Sequence, residues 1–256
     1  MKVAQCAQKL IEHLNIKTVP ALSFAQIFNH YNIICREKVF SDPNYMGSLH
    51  RSEGLTAILV NISSNNMGRI NFTKAHELGH FCLNHKGIAF QCTRTDMSDF
   101  TKNPQEIEAN QFAREFLLPE QMVKPISISA PFDFETIKAI SDQYLVSKLA
   151  AIFRILDFHS DHYAFVSSKN GTIIHSGLSR SLLGRIKLRK IGSLIDSSSY
   201  ANVILNSGKQ MNGYSTVDSS HWIVKNQTDS KISLKEYSKA NKSVGTVMTL
   251  IKVDFL

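Results

Sequence analysis

The pentapeptide His76-Glu77-Leu78-Gly79-His80 constrains this chain more than any other feature. On a helix of about 3.6 residues per turn, positions four apart share a face, so His76 and His80 can offer imidazoles to one ion while Glu77 lies beside it. Zinc takes neutral imidazole readily, and a hydrolytic zinc site keeps one position open for water. A neighbouring carboxylate can take a proton from that water and pass it to a leaving amine. The spacing specifies two ligands and a base. Five residues also fit an ordinary amphipathic helix, so the surroundings decide.

The surroundings favour chemistry. Ala57-Ile58-Leu59-Val60-Asn61 is a short apolar run of strand type, ended by the polar cluster Ser63-Ser64-Asn65-Asn66 and Gly68. A helix starting near Asn71 or Thr73, both good N-caps, then carries the motif through Phe81, Cys82 and Leu83. A second helix runs from Pro104 to about Leu118 and is closed by Pro119, with Ala109, Phe112, Ala113, Phe116 and Leu117 forming one apolar stripe. At about 100° per residue, Glu106 falls roughly 50° from the centre of that stripe and Glu108 roughly 110°. Glu106 is therefore the expected third ligand. Asn110, one turn on, is placed to hold a ligand histidine through its other ring nitrogen. Glu108 and Glu115 read as solvated charges.

Other metal arrangements fit less well. An extended motif with a third histidine needs it at position 86, which is Lys86. His85 is one residue short, turned about 100° away on a continuing helix, and reads as a helix-end residue. Asp157, His159, Asp161 and His162 cluster in sequence, but with no spacing that justifies a site. Cys6, Cys35, Cys82 and Cys92 lack zinc-finger spacing and do not make a disulfide framework, so reduced thiols are expected, with Cys82 in core packing.

Two blocks together make the pattern specific. Arg69-Ile70-Asn71-Phe72-Thr73-Lys74-Ala75 leading into the pentapeptide, then Glu106-Ile107-Glu108-Ala109-Asn110-Gln111-Phe112-Ala113 with Leu117-Leu118-Pro119 after it, resemble the ImmA/IrrE family of metallopeptidases. The resemblance spans roughly residues 1 to 160. It implies a zincin-like fold with Glu106 in the third ligand position, Asn110 supporting, and a helix-turn-helix transcriptional repressor as the substrate whose cleavage derepresses genes. It also implies that an appended domain is GAF-like and senses a signal.

The 256 residues suit one large domain or two modest ones. No apolar run approaches the roughly 18 residues of a membrane span, and the N-terminus begins an amphipathic helix, so a soluble cytoplasmic protein is expected. Helices are expected over 1–15 and about 22–33, then a loop through Asp42-Pro43-Asn44. Asp133 and Glu135 open a further helix with Ile137 and Ile140 inward, and Ser147 caps another carrying Leu149, Ile152, Phe153 and Leu156. This pair imitates a DNA-reading helix-turn-helix, but its second helix offers few donors for base edges and reads as scaffold.

From about His162 the chain turns to short β-type segments: Tyr163–Val166, Thr172–Ile174, Val203–Leu205, His221–Val224 and Val247–Ile251, with a hairpin signal at Ser168-Lys169-Asn170-Gly171. Charge is concentrated here. Residues 158–256 hold 13 Lys and Arg against 6 Asp and Glu, out of a net +8 for the chain. Arg185-Ile186-Lys187-Leu188-Arg189-Lys190 is the densest cluster and reads first as a solvated strand face, with nucleic-acid attraction second.

The expected protein is thus α+β: a zincin-like, largely helical peptidase domain with a short sheet over 1–160, then a β-rich regulatory domain over 161–256. One catalytic Zn²⁺ is expected on His76, His80 and Glu106, with Glu77 as base; affinity alone does not separate Zn²⁺ from Mn²⁺. An extended substrate would pair with the edge of the strand at Ile58–Asn61. The competing class is a non-enzymatic DNA- or signal-binding regulator with a structural or vestigial metal site. A structural zinc normally has four protein ligands, and only three are assignable.

Overall fold

The computed structural model describes residues 3–64, 66–86, 103–228 and 230–256, and the main chain of 89–93. The fold is α+β, and the chain divides into two compact units, Met1–Val123 with Lys138–Ala151, and Lys124–Ile137 with Ile152–Leu256. Among the described residues, no helix is long and apolar enough to cross a membrane.

In the first unit, α1 (Val3–His13) and α2 (Phe24–His30) precede β1 (Ile33–Lys38), β2 (Tyr45–Ser52) and β3 (Leu55–Asn61). α3 (Met67–Cys82), β4 (Ala89–Thr93) and α4 (Pro104–Leu117) follow. The four strands form one sheet in the order β1-β3-β2-β4, with β1 parallel to β3 and the other pairs antiparallel. β3 therefore lies inside the sheet. Both its edges are used, so the expected substrate pairing along Ile58–Asn61 is not available. The apolar run there reflects an interior strand: Ile58 and Val60 are fully buried.

α3 starts earlier than the sequence suggests. The Asn66 side chain accepts from the Arg69 N–H at 3.0 Å and caps the helix at Met67. Asn71 and Thr73 serve elsewhere: Asn71 Nδ2 donates to the Leu145 carbonyl at 2.9 Å, and Thr73 Oγ1 back-bonds to the Arg69 carbonyl. Gly68, read as part of a loop, is helical. A Cβ there would sit 2.5 Å from the Ser147 main-chain nitrogen, so its absence lets the 146–147 segment lie on the helix.

α5 (Glu120–Ser129), with Pro125 inside it, had no counterpart in the pattern. α6 (Phe134–Tyr144) and α7 (Lys148–Phe158) match expectation in their caps: Asp133 Oδ1 accepts from Glu135 and Thr136, and Ser147 Oγ accepts from Ala150. Their joint, with Leu145 at φ 55°, is the segment packed on α3, which is a scaffold role rather than an exposed reading head.

The second unit is built on an antiparallel sheet in the order β6-β5-β11-β10-β8. It contains β5 (Tyr163–Lys169), β6 (Thr172–Leu178), β7 (Ile186–Leu188), α8 (Tyr200–Ser207), β8 (Ser215–Val217), β9 (Ile223–Asn226), β10 (Ile232–Asn241) and β11 (Thr246–Phe255). The β5–β6 hairpin turns at Asn170 and Gly171, both at positive φ, as the Asn-Gly pair dictates. Val203–Leu205, expected as a strand, lies in α8. Ser199 caps its start and Gly208, at φ 78°, ends it. The Glu236 carboxylate, fully buried, accepts from the Ala201 N–H at 2.7 Å, from Trp222 Nε1 at 2.9 Å and from Ser238 Oγ at 2.8 Å, tying α8 and Trp222 to β10.

Candidate metal centre

α3 and α4 pack closely because small residues face each other. A Cβ at Gly79 would lie 3.1 Å from the Phe112 Cβ and 3.2 Å from the Ala109 Cα, so glycine sets the helix separation. That approach brings Glu106, in the first turn of α4, against the two histidines of α3. His76 Nε2 lies 3.0 Å from Glu106 Oε2, His80 Nε2 3.4 Å from Glu106 Oε1, and the two Nε2 atoms are 3.0 Å apart. His76, Glu77 and His80 are fully buried and Glu106 nearly so. Among the described residues His76, His80 and Glu106 form the one cluster of His, Cys, Asp and Glu whose ligand atoms converge, all within 4.8 Å of one another.

The donor set fits a tetrahedral ion. Bonds of about 2.0–2.1 Å at tetrahedral angles place neighbouring donors about 3.3 Å apart. The Nε2–Nε2 separation and the two Glu106 contacts, one on each carboxylate oxygen, lie within a few tenths of an ångström of that value, so the three side chains stand at ligand spacing.

Hydrogen bonds behind the ligands orient them. His76 Nδ1 donates to Asn110 Oδ1 at 2.9 Å, the support expected of Asn110. Without an ion the surrounding groups favour a proton on His76. Burial pushes His76 down, but its hydrogen bond to Glu106 and the charges of Glu77 and Glu106 outweigh that and raise its pKa. Burial and the neighbouring His76 push His80 down to about 4 against the opposing pull of Glu106. For Glu106, burial is overcome by its contacts with His76 and His80, which hold the carboxyl well below the usual range.

Glu77 faces the sheet. A Cβ at Gly47 of β2 would lie 3.3 Å from Glu77 Oε1 and 2.5 Å from Thr73 Cγ2, so this glycine lets the strand pass beside the carboxylate.

His85 departs from expectation. The helix ends at Cys82 with Leu83 as its cap, Asn84 takes a left-handed turn at φ 52°, and His85 folds back, buried, with its Nδ1 2.8 Å from His80 Nδ1. Its Nε2 lies 3.0 Å from Glu108 Oε2, so Glu108, though half-exposed, is more than a solvated charge. Asp157 pairs with Arg154 and His159 Nδ1 accepts from the Asp161 N–H, so that sequence cluster makes no metal group. Cys6, Cys35 and Cys82 are free thiols, and burial pushes Cys35 up to about 11 and Cys82 higher still. Cys92 lies outside the described side chains.

Residues 36–156 match the family model of the IrrE N-terminal-like domain of the M78 peptidases. Over this segment, a little under half of the chain, the sequence is similar to the M78 peptidases. That match supports a metallopeptidase, and the buried His-His-Glu cluster supplies side chains that could hold a metal. Comparison with curated proteins gives no significant match. A solved structure of a Mycobacterium tuberculosis transcriptional regulator is similar to the chain, with a TM-score of 0.56 at 9% identity, covering 98% of this chain and 75% of that one. At that identity the likeness concerns the fold alone.

Proposed function

We propose that the protein is a zinc-dependent endopeptidase that cuts a helix-turn-helix transcriptional repressor and so derepresses genes. The observation that carries the reading is the convergence of His76, His80 and Glu106 within a segment similar to the M78 peptidases, on a donor set with three protein ligands rather than four. When bound, Zn²⁺ supplies Lewis acidity that makes water more acidic and polarises a peptide carbonyl. His76, His80 and Glu106 hold the ion, and Asn110 fixes the ring of His76. Glu77, the neighbour of His76 on α3, takes the proton of the attacking water and delivers it to the departing nitrogen. An extended substrate pairs along an outer strand of the sheet. β4 is the outer neighbour of β2, the strand that carries Gly47 beside Glu77.

Residues 1–160 are the peptidase domain in this reading and residues 161–256 a regulatory or sensor domain, acting in the cytoplasm. The repressor as substrate rests on the family resemblance and accords with a fold shared with a transcriptional regulator. The deciding experiment incubates the zinc-loaded protein with the repressor encoded beside its gene, with and without chelator, alongside Glu77→Gln. Cleavage should require metal and fall by about 10²- to 10⁴-fold in Glu77→Gln, since the amide cannot act as a base. Undiminished cleavage by a zinc-loaded Glu77→Gln protein would remove Glu77 from the mechanism. DNA binding without any cleavage would favour the regulator.

A further inference from the structure

Behind His80 runs a chain of hydrogen bonds whose direction is fixed at one end. Glu108 Oε2, a carboxylate oxygen, can only accept, so His85 Nε2 carries the hydrogen across their 3.0 Å contact. In a neutral imidazole the other nitrogen is then the acceptor, so at the 2.8 Å contact His80 Nδ1 donates to His85 Nδ1. A neutral His80 protonated at Nδ1 presents a bare lone pair at Nε2, the atom that faces His76 and Glu106. The arrangement is built rather than incidental. Arg51 donates to the carbonyls of His80, Phe81 and His85 at 3.0–3.2 Å, and the His85 N–H donates to the His80 carbonyl at 3.1 Å, holding the two residues in register beyond the helix end.

We propose that Glu108 and His85 are positioning residues that set the tautomer and ring orientation of His80, as Asn110 does for His76. The inference rests on the metal-centre reading above and adds a second supporting arm to it. Of the neighbouring carboxylates Glu106 and Glu108 on α4, the first faces His76 and His80 directly and the second acts through two imidazoles.

Nitrogen and carbon chemical shifts of the His80 ring, recorded on the metal-free protein across a pH series, report the tautomer directly. The expected wild-type form carries its hydrogen on Nδ1, and His85→Ala should release it towards Nε2. Zinc affinity measured by chelator competition should fall about 10- to 100-fold in His85→Ala, the usual cost of losing such support. Glu108→Ala should lose less. Glu108→Gln, which keeps an oxygen acceptor, should stay close to wild type. Because Glu108 acts through His85, the double variant His85→Ala/Glu108→Ala should bind zinc no more weakly than His85→Ala alone. Additive losses, or a His80 that keeps its Nδ1 hydrogen in His85→Ala, would overturn the proposal. Failure of the wild type to bind zinc would instead sink the metal-centre reading, and the tautomer measurement would still decide this one. Glu108 is half-exposed, so its variants keep the test open should His85→Ala fail to fold.

Discussion

Zinc binding should displace one proton, not two, from the metal-free centre. Of the three ligands, Glu106 is held ionised and His80 is pushed down to about 4, so neither carries a proton to release in mildly acidic solution. His76 is raised, and its hydrogen bonds account for where the proton sits. With Nδ1–H given to Asn110, a second hydrogen on Nε2 can serve both Glu106 Oε2 and the bare Nε2 of His80, each 3.0 Å away. Metal requires that hydrogen to leave. The sign follows: affinity falls as pH falls, by tenfold per pH unit once His76 is protonated, or about 1.4 kcal/mol per unit. The window lies between about pH 5, above the His80 value, and about 6.5, the ordinary imidazole value that His76 exceeds. Higher pH brings in water at the ion, whose own ionisation near neutrality would confuse the count. Chelator competition across that window, corrected for chelator protonation, gives the slope. Calorimetry in two buffers of different ionisation enthalpy gives the proton number independently. A slope near two would mean that burial does not keep His80 neutral, and a slope near zero that the centre holds no proton.

Glu106→Ala should leave the purified protein without stoichiometric zinc at concentrations that saturate the wild type; metal analysis that finds a full equivalent would show the third ligand lies elsewhere. Gly79→Ala forces α3 from Phe112 and the α4 backbone, so unfolding should become easier by about 1–3 kcal/mol with zinc affinity falling alongside; unchanged values in denaturant titration and chelator competition would deny the close packing its role. In the basic cluster, Arg189 donates to the His221 and Ser220 carbonyls and pairs with Asp196, so Arg189→Ala should cost about 1–3 kcal/mol in thermal unfolding. Lys187 and Lys190 are exposed, and neutralising both should leave repressor cleavage unchanged; salt-sensitive DNA retention lost in that double variant would restore the DNA-binding reading.

The sequence made the two site helices legible because each signal there is local. Asn110 and Glu106 lie one turn apart, Pro104 and Pro119 bracket α4, and the histidine spacing has a meaning only on a helix. The sheet was harder. β2 reads Tyr-Met-Gly-Ser-Leu-His-Arg-Ser, with five successive buried residues and no alternation, because both faces of that stretch are covered. β10 places the charged Glu236 at a fully buried position, which no hydrophobic pattern anticipates. α8 is hidden for the opposite reason: Val203-Ile204-Leu205 has strand composition, while its caps, Ser199 and Gly208, lie outside that run. On a continuing helix His85 would point about 100° away from the ligand direction. The chain leaves the helix first, and the left-handed Asn84 turns the residue back onto His80. Asn at the end of an amphipathic run was the available signal.

The three glycines around α3 explain why so much of the centre rests on residues that never touch an ion. Gly68 admits the 146–147 main chain near the start of the helix, Gly47 admits β2 beside Glu77, and Gly79 admits α4 beside His76 and His80. Each is a place where a single methyl group would meet main chain or a packed side chain, and together they close on the helix from different elements. A helix confined in this way cannot turn about its axis to accommodate a poorly placed ligand without collision, because packed interiors yield little. Precision then has to come from the rings themselves, which still rotate about their own side-chain bonds. That freedom is what Asn110 removes from His76 and what His85, backed by Glu108, removes from His80. Backbone packing fixes where the donor atoms start, and the hydrogen bonds behind them fix where the lone pairs point. A centre missing either would keep its three ligands in sequence and lose their convergence in space.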